Sequence, residues 1–170
     1  APKKGGLSIK KTSDAPSGNS HYSLSGAEFQ IKSGSTVVAT LTTDGSGNAS
    51  TGDEALDEGD YILHENKAPK GHKKADDRTV HITAGQAASA NVVNVKDPYK
   101  TGKIKVKKKS KDSDATPSTN SAYSYKNAEY GVYTNKSGNS VSGKVDTIKT
   151  DSDGEGVSDS LPLGRYYVKE

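Results

Sequence analysis

The sequence predicts an all-β protein: two sandwich modules in tandem, the second lacking its C-terminal strands. Three observations lead there. Short segments such as "GLSIKKT" and "VNVKD" alternate apolar and polar residues between turns of Gly, Asn and Asp. Four segments recur in the same order along the chain. The composition is 29% hydrophobic, with one Phe, no Trp, no Met and 18 Gly, too thin for one large core in 170 residues. Cys is absent, so disulfides cannot supply the missing stability.

The repeat fixes the organisation. Residues 5–14, "GGLSIKKTSD", match 102–112, "GKIKVKKKSKD", and "LSGAEFQI" (24–31) matches "YKNAEYGV" (125–132). "TTDGSGNAS" (42–50) matches "KTDSDGEGVS" (149–158), and "GDYILHE" (59–65) matches "GRYYVKE" (164–170). After Glu65 the first copy continues through "RTVHITAG" and "ANVVNVKDPY", which read as two more strands; the second copy has no counterpart to them. The expected boundaries are a complete module over 5–97, a short linker over 98–101, punctuated by Pro98 and Gly102, and a truncated module over 102–170.

Charge and hydropathy exclude several classes. Residues 1–97 carry 11 Lys and Arg against 12 Asp and Glu, whereas 98–170 carry 13 against 9. The excess lies in "KTGKIKVKKKSK" (100–111), which reads as a solvated strand face rather than a nucleic-acid site, since Arg78 and Arg165 are the only arginines. No apolar run is long enough for a transmembrane helix or a signal-peptide core.

The strand period exposes polar residues where apolar ones belong. Side chains alternate between the faces of a strand. Leu7, Ile9 and Lys11 therefore share the inward face of the first strand, and Ile104, Val106 and Lys108 share it in the second copy. Tyr61, Leu63 and Glu65 share a face, as do Tyr166, Val168 and Glu170. In "VNVKD" one register turns Val93, Val95 and Asp97 inward; the rival register turns Ala90, Val92 and Asn94 inward. Burying a lysine and a glutamate costs several kcal/mol per ion unless they pair or neutralise. Desolvation pushes the amine down and the carboxyl up. A neutral amine beside a protonated acid is a nucleophile beside a proton donor, and a nearby carbonyl makes amide formation possible.

These motifs, with the "ENKAPKG" stretch (65–71), resemble the Cna B-type domain of Gram-positive surface adhesins and sortase-assembled pilins. The position after that stretch, usually Tyr or Phe in the family, is His72. The resemblance implies a transthyretin-like (inverse Ig-like) sandwich and a spontaneous intramolecular isopeptide bond. On it, Lys11 is the nucleophile, Glu65 the catalytic proton shuttle and Asp97 the acceptor, with Asn94 the alternative acceptor. Lys108 and Glu170 match the same roles in the second module, where the acceptor is absent from the chain. The implied function is a stalk or spacer in an extracellular, cell-wall-anchored protein, without cofactor or metal and without multiple-turnover catalysis. The partners it implies are neighbouring modules and another chain completing the second module. The alternative is a module of the same fold binding host matrix or carbohydrate.

Other signals carry less. "DSDGEG" (151–156) has the acids of an EF-hand start but Pro162 where the closing Glu belongs, so it reads as a turn. The four histidines lack metal-ligand spacing. "LPLG" (161–164) reads as a loop before a strand, and Tyr125, Tyr130 and Tyr133 read as sandwich packing.

Overall fold

Alternation organises the first unit. The chain divides into Ala1–Lys100 and Thr101–Glu170 in the computed structural model, which describes residues 3–111 and 116–170. Asp112, the last residue of one repeated segment, lies outside them. In the first unit the strands are β1 (Lys4–Gly5), β2 (Ser8–Ser13), β3 (Glu28–Ser33), β4 (Thr36–Thr42), β5 (Asn48–Ser50), β6 (Leu56–Asp57), β7 (Gly59–Lys67), β8 (Arg78–Ile82) and β9 (Val92–Asp97). One sheet runs β4-β3-β7-β8, all antiparallel; the other runs β5-β2-β9, with β2 and β9 parallel; β1 pairs β6. The only helical element among the described residues is the 3-10 turn Ala88–Ala90.

The core lies between these two sheets. Leu7, Ile9 and Val95 from the β2–β9 side meet Phe29, Ile31, Leu63, Val80 and Ile82 from the other. The β9 register follows from what it buries: Val95 and Asp97 are buried and Val93 packs on the core, while Val92 and Asn94 face out. Residues 98–100, expected as linker, are tied to this unit instead. Pro98 accepts from Lys73 N–H, Lys100 N–H donates to Gly71, and Tyr22 donates its hydroxyl to the Lys100 carbonyl at 2.6 Å.

The second unit contains β10 (Thr101–Gly102), β11 (Lys105–Lys107), β12 (Glu129–Ser137), β13 (Ser140–Lys149), β14 (Glu155–Val157), β15 (Leu161–Pro162) and β16 (Tyr167–Lys169). A sheet runs β13-β12-β16, and β11 pairs β14. Leu161 and Pro162 were expected in a loop; they form β15 against β10, because Leu161 is buried in the core. That core is small: Val132, Ile148 and Leu161, with Ile104, Val106, Tyr130 and Tyr166 packed against it. Tyr133 is outside it. Its ring folds over Gly131 on the opposite sheet face from Val132, correcting the expectation that it packs inside.

Candidate functional site

Lys11, Glu65 and Asp97 meet between the sheets. Lys11 and Asp97 project from the adjacent parallel strands β2 and β9, and Glu65 comes from β7 of the facing sheet. Their exposures are 0%, 2% and 2%. Lys11 Nζ lies 2.7 Å from Glu65 Oε1 and in direct contact with Asp97 Oδ1. Neither contact has hydrogen-bond geometry, so the amine is set against both carboxyl groups without a directed bond. Asn94 lies on the exposed face of β9, away from the amine.

The surroundings decide the charge state. Phe29, the cross-strand neighbour of Glu65, places its ring 4.9 Å from Lys11 Nζ. Burial pushes the Glu65 carboxyl above its ordinary value; the Lys11 amine and the Ala75 N–H oppose this, and the Asp97 charge adds to it. Ala75 N–H donates to Glu65 Oε2 at 2.6 Å, which leaves Oε1 toward the amine.

Sequence reasoning missed two supports. The first is the turn after β4. Asp44 Oδ1 accepts from Ser46 and Asn48 N–H, and Gly47 offers its carbonyl to Lys11 N–H at 2.7 Å. Gly47 has φ +80°, and a Cβ there would stand 2.5 Å from the Lys11 carbonyl oxygen, so only glycine fits. The signal was visible as the repeated T-D-x-x-G, but reading it as a turn did not say what the turn touches. The second is His72. Its Nδ1 lies 2.9 Å from the Lys70 carbonyl, which only an N–H can satisfy, so Nε2 accepts from Ser13 Oγ at 2.6 Å. The His72 ring meets Tyr22 edge-on, with centroids 5.8 Å apart, and Tyr22 meets Tyr99 the same way. His72 thus braces the end of β2 two residues beyond Lys11, a tertiary role with no sequence pattern.

Lys108 and Glu170 also meet, in a different state. Their side chains are in contact, but they are 29% and 52% exposed. Glu170 raises the Lys108 amine, and Lys108 lowers the Glu170 carboxyl. This is a solvated ion pair of two charged groups, contrary to the neutral pair that strand alternation suggested. Tyr130 replaces Phe29 here, its hydroxyl 3.3 Å from Glu170 Oε2. Lys105 and Lys107 both pair with Glu155, so part of the basic run is neutralised locally. Among the described residues no cluster of His, Cys, Asp or Glu is arranged to hold a metal.

The first unit is thus a β-sandwich in which β2 and β9 run parallel, side by side, with a buried amine and two carboxyl groups between its sheets. Residues 5–98 match the SpaA prealbumin-like fold domain over more than half of the chain, and the chain belongs to that family. No curated protein matches it in sequence. Among solved structures it is similar to the Bacillus anthracis TIE protein, at 24% identity and a TM-score of 0.69, covering 98% of this chain and 28% of that one. It is also similar to BcpA, the major pilin subunit of Bacillus cereus, at 17% identity and a TM-score of 0.50, covering 92% and 53%. The chain thus spans less than two thirds of either protein, and both likenesses concern the fold.

Proposed function

We propose that the chain is a structural stalk segment of a Gram-positive surface protein, a pilin or adhesin, whose first module crosslinks itself. The observation that carries this is the fully buried Lys11–Glu65–Asp97 cluster. The reaction balances as ammonium plus carboxylate giving amide plus water. Glu65 takes a proton from the Lys11 ammonium, and the neutral amine attacks Asp97 Cγ. The C–O bond breaks as the departing oxygen receives both the proton returned by Glu65 and the second proton that nitrogen loses on becoming an amide, leaving as water. The cluster acts once, on itself, so the module is no multiple-turnover enzyme.

The bond would close a loop of about 86 residues between Lys11 and Asp97, worth about 4–5 kcal/mol on the chain-entropy account of crosslinks. Because β2 and β9 are adjacent and parallel, tension entering at one and leaving at the other shears their pairing; the amide carries that load covalently. Unlike a disulfide, it survives reduction.

The second unit is read as a second copy, giving modules over 5–97 and 102–170. Recurring hydrogen bonds support this. Thr43 Oγ1 accepts from Ala27 N–H and donates to Leu24, as Thr150 does with Ala128 and Tyr125. Tyr61 donates its hydroxyl to the carbonyl four residues back, as Tyr166 does. Gly154 offers its carbonyl to Lys108 N–H as Gly47 does to Lys11. Lys108 and Glu170 would be completed by a strand beside β11 bearing an acceptor, from this polypeptide or a neighbouring one. Surface display and linkage to neighbouring modules are the setting in which such a stalk works.

The test is the intact mass of the denatured protein beside a Glu65→Gln variant. A deficit of one water in the parent alone supports the Lys11–Asp97 bond. A deficit of one ammonia would move the acceptor to Asn94. No deficit would sink the crosslink and leave an ordinary sandwich.

A further inference from the structure

We infer that the outer face of the β12–β13–β16 sheet carries a subsite for an acidic saccharide. A cleft of about 590 Å³ lies there, lined among others by Tyr133, Lys144, Lys169, Thr147 and the two carboxylates Glu129 and Glu170. Three features of the strands build it.

The first is a bulge. Val132 pairs Asp146, but Tyr133 pairs Lys144, so Val145 is the extra residue and is left 49% exposed. A one-residue slip exchanges the faces of a strand. Here it places Lys144, instead of Val145, opposite Tyr133. The second is Gly131. A Cβ at this position would meet Cε2, Cζ and the hydroxyl of Tyr133 at 2.5 to 2.7 Å, so the missing side chain is what lets the ring lie back across the sheet. The third is Lys169, which pairs Gly131 from the other side and sets a second ammonium along the same row.

The first unit shows that the fold does not demand this arrangement. It has the same bulge between Ile31 and Lys32, with Val38 as the extra residue, but Gln30 stands where Gly131 does and Lys32 where Tyr133 does. The aromatic ring and the glycine that seats it belong to the second unit.

The chemistry of the row selects the ligand. Among the described residues the Tyr133 hydroxyl and the Lys144 ammonium have no hydrogen-bond or ion-pair partner, and Lys169 donates only to the Asn139 carbonyl at 3.4 Å, while Glu129 is held by Lys149 at 3.2 Å and Glu170 by Lys108. A polar cleft with a tyrosine ring fits the C–H face of a pyranose, whose partial positive charge meets the negative face of the aromatic ring. Lys144, seconded by Lys169, supplies the charge that selects a carboxylate on that sugar. A neutral sugar satisfies the ring and not the lysines.

The experiment is an NMR titration of isotope-labelled protein with sialyllactose, lactose as control. Shifts are expected at Tyr133, Lys144 and Lys169, saturating in the millimolar range, with lactose about tenfold weaker. Lys144→Ala should reduce sialyllactose binding about tenfold toward the lactose level, and added salt should do the same. Tyr133→Ala should abolish binding of both sugars, and Tyr133→Phe should retain it. No shifts, or shifts unchanged by Tyr133→Ala and Lys144→Ala, would overturn the assignment. So would a Tyr133→Ala chain that is less stable yet binds as before, since the ring is then only a cover for Gly131. None of these residues belongs to the Lys11 cluster, so the two readings fail separately.

Discussion

Two glutamates at corresponding positions are pushed in opposite directions, and burial is the reason. Glu65 is raised because desolvation outweighs the nearby amine; Glu170, half in solvent, is lowered because its amine outweighs desolvation. Strand alternation gave both residues the same face and gave Lys11 and Lys108 theirs, while for β9 it left open whether Asp97 or Asn94 turned inward. It could not give depth, which depends on how many strands cover the face. A Lys11→Met variant tests the raised Glu65 directly. It removes the crosslink and the charge that opposes the rise, so the folded carboxyl stays protonated to higher pH than the unfolded one. A raised folded value means that this contribution to stability is present below the ordinary carboxylate value and is lost as pH rises through the folded value. Urea denaturation of this variant in steps from about pH 4 to 8 should therefore show stability falling with pH. A flat profile would show that Glu65 is not held neutral.

At the scale of elements, much of the first unit was legible: β2, β7, β8 and β9 follow from period and turn residues, as do the inward faces of β2 and β7, while β9 was left between two registers. What stayed hidden were contacts between elements. The Gly47 carbonyl on Lys11, the Ala75 N–H on Glu65 and the His72–Ser13 bond join segments whose separation in sequence carries no period. Two substitutions weigh such contacts. Gly47→Asn should destabilise the first unit about as much as Gly47→Ala. Asparagine tolerates positive φ, but either Cβ would sit 2.5 Å from the Lys11 carbonyl oxygen. Measured denaturation midpoints that show asparagine as benign would mean the close approach relaxes freely. Thr43→Val keeps the shape but leaves the Ala27 N–H and Leu24 carbonyl without their partner, costing about 1–3 kcal/mol by loss of buried hydrogen bonds. A cost near zero would mean that solvent replaces the hydroxyl.

For the whole molecule, the two units differ in what holds them together. Among the described residues, ten buried apolar side chains cluster in the first unit and three in the second, and the crosslink is proposed for the first. Strand alternation does not reveal this inequality, because segments of both units alternate while fewer residues of the second are enclosed. The units should therefore unfold separately, and calorimetry should resolve two transitions with the second unit melting first. Glu65→Gln then separates crosslink from packing. Glutamine keeps the size of the side chain and can still accept from Ala75 N–H, but it cannot shuttle a proton. If the bond is worth about 4–5 kcal/mol, and each kcal/mol moves the midpoint of a domain this size by about 4–8 °C, the upper transition should fall by on the order of 20 °C while the lower one stays. An upper transition that does not move would mean that the first unit owes its stability to its sheets alone. A lower transition that moves with it would mean that the units melt as one body, and the larger core would then be supporting the smaller.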